Sequence, residues 1–255
     1  MSSDAPSSEG PSRDPLGSHS RPAVVDLRVG GFIPLTTVEW DGRLAAVVFT
    51  QGCPWRCRYC HNTNLVPTRN KALIPWSDVR QQLLDRQGFV EAVVFSGGEP
   101  TAQAALLPAL EEVKAMGYLT AVHTNGAHPN LLTRLLFKEI VDYVAMDVKA
   151  PWDRYSKITQ IEGSGRRAQR SANLVIRSGL PHEFRTTYHS DLLTHEDLLA
   201  IAEDLKWRGA TAWYLQKYRD AGSPDMPLKL STSRKLPEKL LRKLAAMFQR
   251  FDVRG

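Results

Sequence analysis

The sequence predicts an α/β fold, a partial (β/α)6 barrel, on three observations. Short apolar runs of strand character alternate with stretches of helical spacing from residue 44 to residue 216. Strands alternating with helices build a parallel sheet with right-handed crossovers. Six such units are legible, too few for a closed eightfold barrel. The polar insertions all follow strands, and in a barrel the loops after the strands share one face and build the site. From pattern alone a doubly wound open sheet is the alternative.

Residues 1–22, rich in Ser, Pro, Gly and Asp, hold too little apolar surface to offset their ordering entropy, which predicts a disordered tail. They also lack the apolar core of a signal peptide. The barrel is expected over 23–220. Gly30 to Arg43 reads as an entry hairpin with Asp41-Gly42 at its turn, and Leu44–Thr50 as the first buried strand. Ser77 caps a helix over roughly 77–87, stopped by Gly88. Strands follow at 90–95, 118–123, 143–148, 184–188 and 212–216, with helices at about 101–116, 129–140, 166–178 and 194–207 between them. Thr194-His195-Glu196-Asp197 is a capping box with Asp for Glu. Residues 221–255 are expected to add a helical extension packed on or beside the barrel. Leu240, Leu241, Leu244, Ala245 and Phe248 mark one side of a helix from about Pro237 to Phe251.

The 255 residues, 42% of them hydrophobic, suffice for one sizeable core. No apolar run approaches the ~18 residues of a membrane span. The net charge of +6 permits an acidic partner without demanding one. The basic clusters at 166–170 and along 229–243 read as solvated helix faces, and no nucleic-acid motif accompanies them.

All three cysteines fall within Gln51-Gly52-Cys53-Pro54-Trp55-Arg56-Cys57-Arg58-Tyr59-Cys60-His61-Asn62. An odd number in one motif argues against a disulfide framework and for a reducing cytoplasm. Four chemistries compete. Cys57 to His61 spells the haem c pattern, which requires export. A dithiol pair would leave Cys53 idle. Structural zinc would need His61, adjacent to Cys60, as its fourth ligand. An iron–sulfur cluster on three cysteines leaves one iron open to a substrate, and this fits the count best.

The other strand ends carry Ser96-Gly97-Gly98-Glu99-Pro100, Thr124-Asn125-Gly126, Asp147-Val148-Lys149 and Gln216-Lys217, and the fifth strand carries Arg185. Gly97-Gly98 leaves room for backbone to approach a ligand, although a plain strand-to-helix turn is the ordinary reading. Asp147 and Lys149 alternate and so point to one side, to bind a ligand or to pair with each other. Arg185 on a buried strand needs a partner, from a ligand or from the chain. His61, His123 and His189 have no metal-ligand spacing and receive no role.

Cys-x3-Cys-x2-Cys with Tyr59 before the last cysteine resembles the signature of the radical S-adenosylmethionine (SAM) enzymes. With Gly-Gly-Glu-Pro at 97–100, His123-Thr124-Asn125-Gly126 and Asp147-Val148-Lys149 in this order, the chain resembles the glycyl-radical-enzyme activating enzymes over roughly residues 28–220. Gly31-Phe32-Ile33-Pro34-Leu35 and Cys60-His61-Asn62 look closest to the anaerobic ribonucleoside-triphosphate reductase activating proteins. The resemblance implies a barrel of the radical SAM type, one [4Fe–4S] cluster on Cys53, Cys57 and Cys60, and SAM. It places Tyr59 along the adenine and Gly97, Gly98 and Glu99 at the methionyl end. Thr124, Asn125, Asp147, Lys149 and Arg185 become pocket residues. The implied partners are a glycyl radical enzyme and a flavodoxin- or ferredoxin-type electron donor, with no membrane and no nucleic acid. Where some activases place a cation-binding Asp, this chain has His123, and it has no further cysteines for auxiliary clusters. A small-molecule radical enzyme of the 7-carboxy-7-deazaguanine synthase kind and a zinc-stabilised interaction module are the alternative readings.

Overall fold

Among the described residues, eight strands form one sheet in sequence order. They are β1 (Val29–Thr36), β2 (Ala45–Thr50), β3 (Ala92–Gly97), β4 (Leu119–Thr124), β5 (Tyr143–Asp147), β6 (His182–Tyr188), β7 (Ala212–Lys217) and β8 (Arg250–Arg254). β1 lies antiparallel to β2, and β2 to β8 are parallel. The helices are α1 (Trp76–Leu84), α2 (Leu106–Ala115), α3 (Pro129–Leu136), α4 (Tyr155–Thr159), α5 (Ser164–Ser178), α6 (His195–Arg208), α7 (Met226–Leu230) and α8 (Glu238–Ala245). The structure is a computed structural model that describes residues 26–220 and 222–255; the tail expected at 1–22 lies outside them.

The central strands β2 to β5 are buried on both faces, and their side chains sort with period two. Ala45, Val47, Ala92, Val94, Ala121, Tyr143 and Ala145 form an inner cluster. Their neighbours Ala46, Val48, Val93, Phe95, Val122, Val144 and Met146 join the larger cluster that takes in the helices. The small inner residues let the sheet curl. Arg254 on β8 reaches Asp41 in the β1–β2 turn at 2.6 Å, and Trp40 of that turn stacks on Tyr143 at 5.0 Å. In a flat sheet six strand spacings of about 4.8 Å would hold β8 about 29 Å from β2. The sheet is therefore a rolled, partial barrel rather than an open doubly wound one. Its core, at about 25 cal/mol per Å2 of apolar burial, is the main stabilising term.

Local signals fix several boundaries. Thr194 and Asp197 make the reciprocal cap of α6, and Gly209 at φ 98° ends it. The C-terminal segment corrects the expectation of one helix from Pro237 to Phe251. α8 ends at Ala245, and residues 250–254 extend the sheet as a seventh parallel strand beside β7. Phe251 follows Phe248 by three residues and Leu244 by seven, so a strand residue falls on the helical stripe. The short α4 and α7 were not legible from periodicity.

Candidate active site

Backbone hydrogen bonds hold the cysteine loop after β2 on two sides. Gly52 N–H donates to Leu65 O (2.7 Å) and Cys53 N–H to Val66 O (3.0 Å). Arg56 and Arg58 N–H donate to Thr159 O (3.0 Å) and Ile158 O (3.1 Å) at the end of α4. Trp55, fully buried, meets Tyr155 edge-on. The three thiols are free, Cys57 buried and Cys53 and Cys60 half-buried. Burial pushes the Cys53 thiol up to about 12 and Cys57 up to about 11, so without metal both stay protonated, and a metal would displace those protons.

Among the described residues no group of three or more His, Cys, Asp or Glu side chains is arranged to hold a metal ion. Zinc needs its ligands within about 2.3 Å of one point, whereas thiolates on separate irons of a cluster stand farther apart. Three free thiols on one loop fixed by backbone hydrogen bonds are a donor set that fits an iron–sulfur cluster.

The loop after β3 packs directly on the cysteine loop. A Cβ on Gly98 would lie 2.5 Å from Gly52 O, and one on Gly97 (φ 110°) would lie 2.4 Å from Thr50 N. Both glycines permit a close approach of the chain's own backbone. Gly98 N–H donates to Thr50 O and Glu99 N–H to Gly52 O, both at 2.9 Å. The fully buried Glu99 carboxylate accepts from Thr101 N–H (3.0 Å), the Thr101 hydroxyl, the Thr124 hydroxyl (2.7 Å) and Asn125 N–H (2.7 Å). Glu99 and Thr124 thus tie the β3 and β4 loops together. Asn125 then directs its Nδ2 at Cys53 Sγ, 3.5 Å away.

Facing the cysteines is a row of charges. Asp147 accepts from Lys149 Nζ (3.1 Å) and Arg185 Nε (3.3 Å). Burial alone would raise the Asp147 carboxyl, but Lys149 and Arg185 beside it hold it down to about 2. Burial opposes the Lys149 charge, yet Asp147 and the groups around it raise its pKa well above the usual lysine range. Lys149 Nζ also donates to Tyr59 OH (3.4 Å) and lies 5.3 Å from that ring's centre. Arg185 reaches His123 Nδ1 (3.4 Å) and comes within 4.0 Å of Glu183. Eleven of the twelve residues singled out in the sequence therefore lie at the C-terminal ends of β3 to β5 or in the loops that follow β2 to β5, and Arg185 lies in the middle of β6, in register with Asp147. Arg185 and Lys149 find structural partners within the chain, so the internal ion pair and the ligand role are both on offer.

Sequence reasoning missed Tyr155, Glu183 and Glu39. Tyr155 OH accepts from Lys149 N–H (3.1 Å) and donates to Asp147 O (3.2 Å). Glu183 alternates with Arg185 on one strand, a signal that was available. Glu39, 3.5 Å from His123 Nδ1, comes from the hairpin turn, which no local pattern places there.

Burial, with Arg185 adjacent, holds His123 well below the usual 6.5. The folded chain then keeps this ring neutral while the unfolded chain protonates it. As pH falls below about 6.5, stability is expected to drop by up to about 1.4 kcal/mol per pH unit from this group alone. His123→Gln should remove that increment in urea melts of the iron-free protein between about pH 7 and about pH 5.

The Radical SAM superfamily model matches residues 47–207. A protein of Methanocaldococcus jannaschii, named by inference as a glycyl-radical enzyme activating enzyme, is 30% identical over 184 residues, 70% of this chain and 75% of that one. Pyruvate formate-lyase 1-activating enzyme of Escherichia coli is 30% identical over 130 residues, and the chain matches only 52% of its length. Among solved structures, SuiB of Streptococcus suis bound to S-adenosylmethionine shares the fold with a TM-score of 0.60 at 15% identity, over 80% of this chain and 48% of that one. TYW1 does so with a TM-score of 0.57 at 17% identity, over 80% and 72%. The chain belongs to the radical SAM superfamily, an enzyme that works with a [4Fe–4S] cluster and S-adenosylmethionine.

Proposed function

We propose that this radical SAM enzyme is an activase that generates a glycyl radical on a partner protein, the anaerobic ribonucleoside-triphosphate reductase. The observation that carries it is the meeting, at one end of the rolled sheet, of a three-thiol loop and the Asp147–Lys149–Arg185 row. The M. jannaschii relative, alike over three quarters of its length, supports the activase class. Gly31-Phe32-Ile33-Pro34-Leu35 and Cys60-His61-Asn62 support the choice of partner.

Cys53, Cys57 and Cys60 would hold the cluster, and Asn125 Nδ2 donates to the Cys53 sulfur. Lys149 and Arg185 are poised to exchange Asp147 for the carboxylate of an amino-acid ligand, freeing Asp147 to accept from its ammonium group. Tyr59 OH accepts from Lys149 Nζ at 3.4 Å, and Glu99 fixes the backbone that would wall the methionyl end. When bound together, the cluster and SAM would supply the one-electron radical chemistry. Desolvation by the surrounding core shields that chemistry from water. With every cysteine of the sequence in one loop, the electron comes from a separate flavodoxin- or ferredoxin-type donor.

The test is electron paramagnetic resonance on the reconstituted enzyme mixed with purified anaerobic reductase, SAM and a reductant. A glycyl-radical doublet that depends on all three is expected. Deoxyadenosine released in step with a turned-over small molecule, and no protein radical on any glycyl radical enzyme tried, would overturn the activase reading.

A further inference from the structure

A second approach to the cysteines does not pass through the charged row. A cleft of about 700 Å3 is lined by Cys57 and Cys60, by Arg56 and Arg58, and by apolar groups that include Val66 and Met226. It shares with the inner site only cysteines: Tyr59, Glu99, Asn125, Asp147, Lys149 and Arg185 do not line it. Met226 stands 58% exposed at its edge.

The charge around this cleft is mostly positive, although Glu162 and Asp220, near the lining Gln160 and Pro224 in sequence, are exposed. From Gly42 to Ser77 the chain has no Asp or Glu, while it carries Arg43, Arg56, Arg58, Arg69 and Lys71. Arg43 is spent on Glu91 before β3. Asp225, the one carboxylate lining the cleft, is taken by Arg58 at 2.6 Å. Arg56 donates to the Cys53 and Trp55 carbonyls. Arg69 and Lys71, just beyond the lining Pro67, are exposed, as is Lys157 on α4, whose last residues hold the cysteine loop.

We propose that this cleft and its basic rim are the docking surface for an acidic one-electron carrier protein, an inference that rests on the cluster assignment above. A cluster on this loop has two accessible sides. The barrel mouth, with its ion row, suits SAM and the radical acceptor. The cleft offers an apolar floor beside two cysteines and an excess of nearby positive charge, the pattern that steers an acidic partner and fixes its orientation. In the step itself the carrier is oxidised by one electron and the cluster reduced by one; no atom is transferred.

The test uses the reconstituted enzyme and flavodoxin hydroquinone as probe, with cluster reduction followed by stopped flow near 400 nm. The wild-type rate is expected to fall steeply with added salt. The variant carrying Arg69→Glu, Lys71→Glu and Lys157→Glu is expected to be at least ~10-fold slower at low salt and nearly salt-independent. The single variants Arg69→Glu and Lys157→Glu, on separate elements, should each lose about 3-fold. Dithionite-driven reduction and SAM cleavage should match wild type in all of them, which also reports that they are folded and loaded. A variant reduced by flavodoxin as fast as wild type, or a wild-type rate indifferent to salt, overturns the proposal. So does loss of glycyl-radical formation under dithionite, which would give the cleft to the radical acceptor. Failure of the wild type to cleave SAM even with dithionite would instead sink the parent reading, and this arm reports that separately.

Discussion

Replacing Cys57 with alanine is expected to leave a folded protein that holds no intact cluster and cleaves SAM at least ~1,000-fold more slowly, since a ligand set acts as a unit. The fold should survive because the loop does not depend on the thiol. Its path is set by the N–H groups of Gly52, Cys53, Arg56 and Arg58 on carbonyls at 65–66 and 158–159. Loss of one buried sulfur costs on the order of 1 kcal/mol in packing, a shift of a few degrees in melting temperature. The chemistry has no such redundancy, because the sequence contains no fourth cysteine to substitute. Anaerobic reconstitution should take iron from about four per chain in the wild type to a small fraction of that. Near-UV dichroism and thermal melting separate cluster loss from unfolding. A variant that kept the broad absorbance near 400 nm and still released deoxyadenosine would remove Cys57 from the ligand set.

The sequence made the parallel architecture readable because the central strands β2 to β5 are buried on both faces. Runs such as Leu44-Ala45-Ala46-Val47-Val48-Phe49 suit a parallel sheet covered on both faces, in a barrel or a doubly wound fold alike. Periodicity failed where two periods coincide. Phe251 extends the stripe of Leu244 and Phe248, so β8 was hidden inside an apparent helix. The closure of the barrel was equally invisible. It depends on Arg254, Asp41, Trp40 and Tyr143, which are far apart in sequence and carry no motif.

At the site, the residue types were legible and their partners were not. Gly97-Gly98 was readable as a place of close approach, but only the coordinates show that the approaching atoms are Thr50 N and Gly52 O. Glu99 was read as lining a ligand, yet its carboxylate is consumed by four donors from two loops, and a motif cannot reveal which side of a backbone its carboxylate serves. The pairing of Asp147 with Lys149 was foreseen from strand alternation. Its extension to Arg185 required knowing that β5 and β6 are neighbours, with Asp147 and Arg185 in register.

That register sets up the second large effect. Asp147→Asn preserves shape and removes the anion between two cations, Lys149 (side chain 7% exposed) and Arg185 (12%). Breaking a buried pair by deleting one partner costs about 3–5 kcal/mol. Asp147 itself keeps 33% of its side chain open, so solvent screens part of this, and a loss of about 2 kcal/mol is expected. The shift of the carboxyl from the usual 3.8 to about 2 is of the same size. Its sign dictates the pH dependence. A depressed carboxylate stabilises the fold above its unfolded pKa, and that contribution vanishes as pH falls through the folded one. The stability gap between wild type and Asp147→Asn should therefore be full above about pH 5, shrink from about pH 4 to about pH 2, and close below that. SAM binding to the cluster-loaded variant should weaken by at least ~10-fold, because Asp147 no longer offers a charged acceptor to an ammonium group. Equal stability of the two proteins at neutral pH would mean that water, not Asp147, compensates Lys149 and Arg185. The row would then be assembled only by a ligand, and the site would be organised on binding rather than before it.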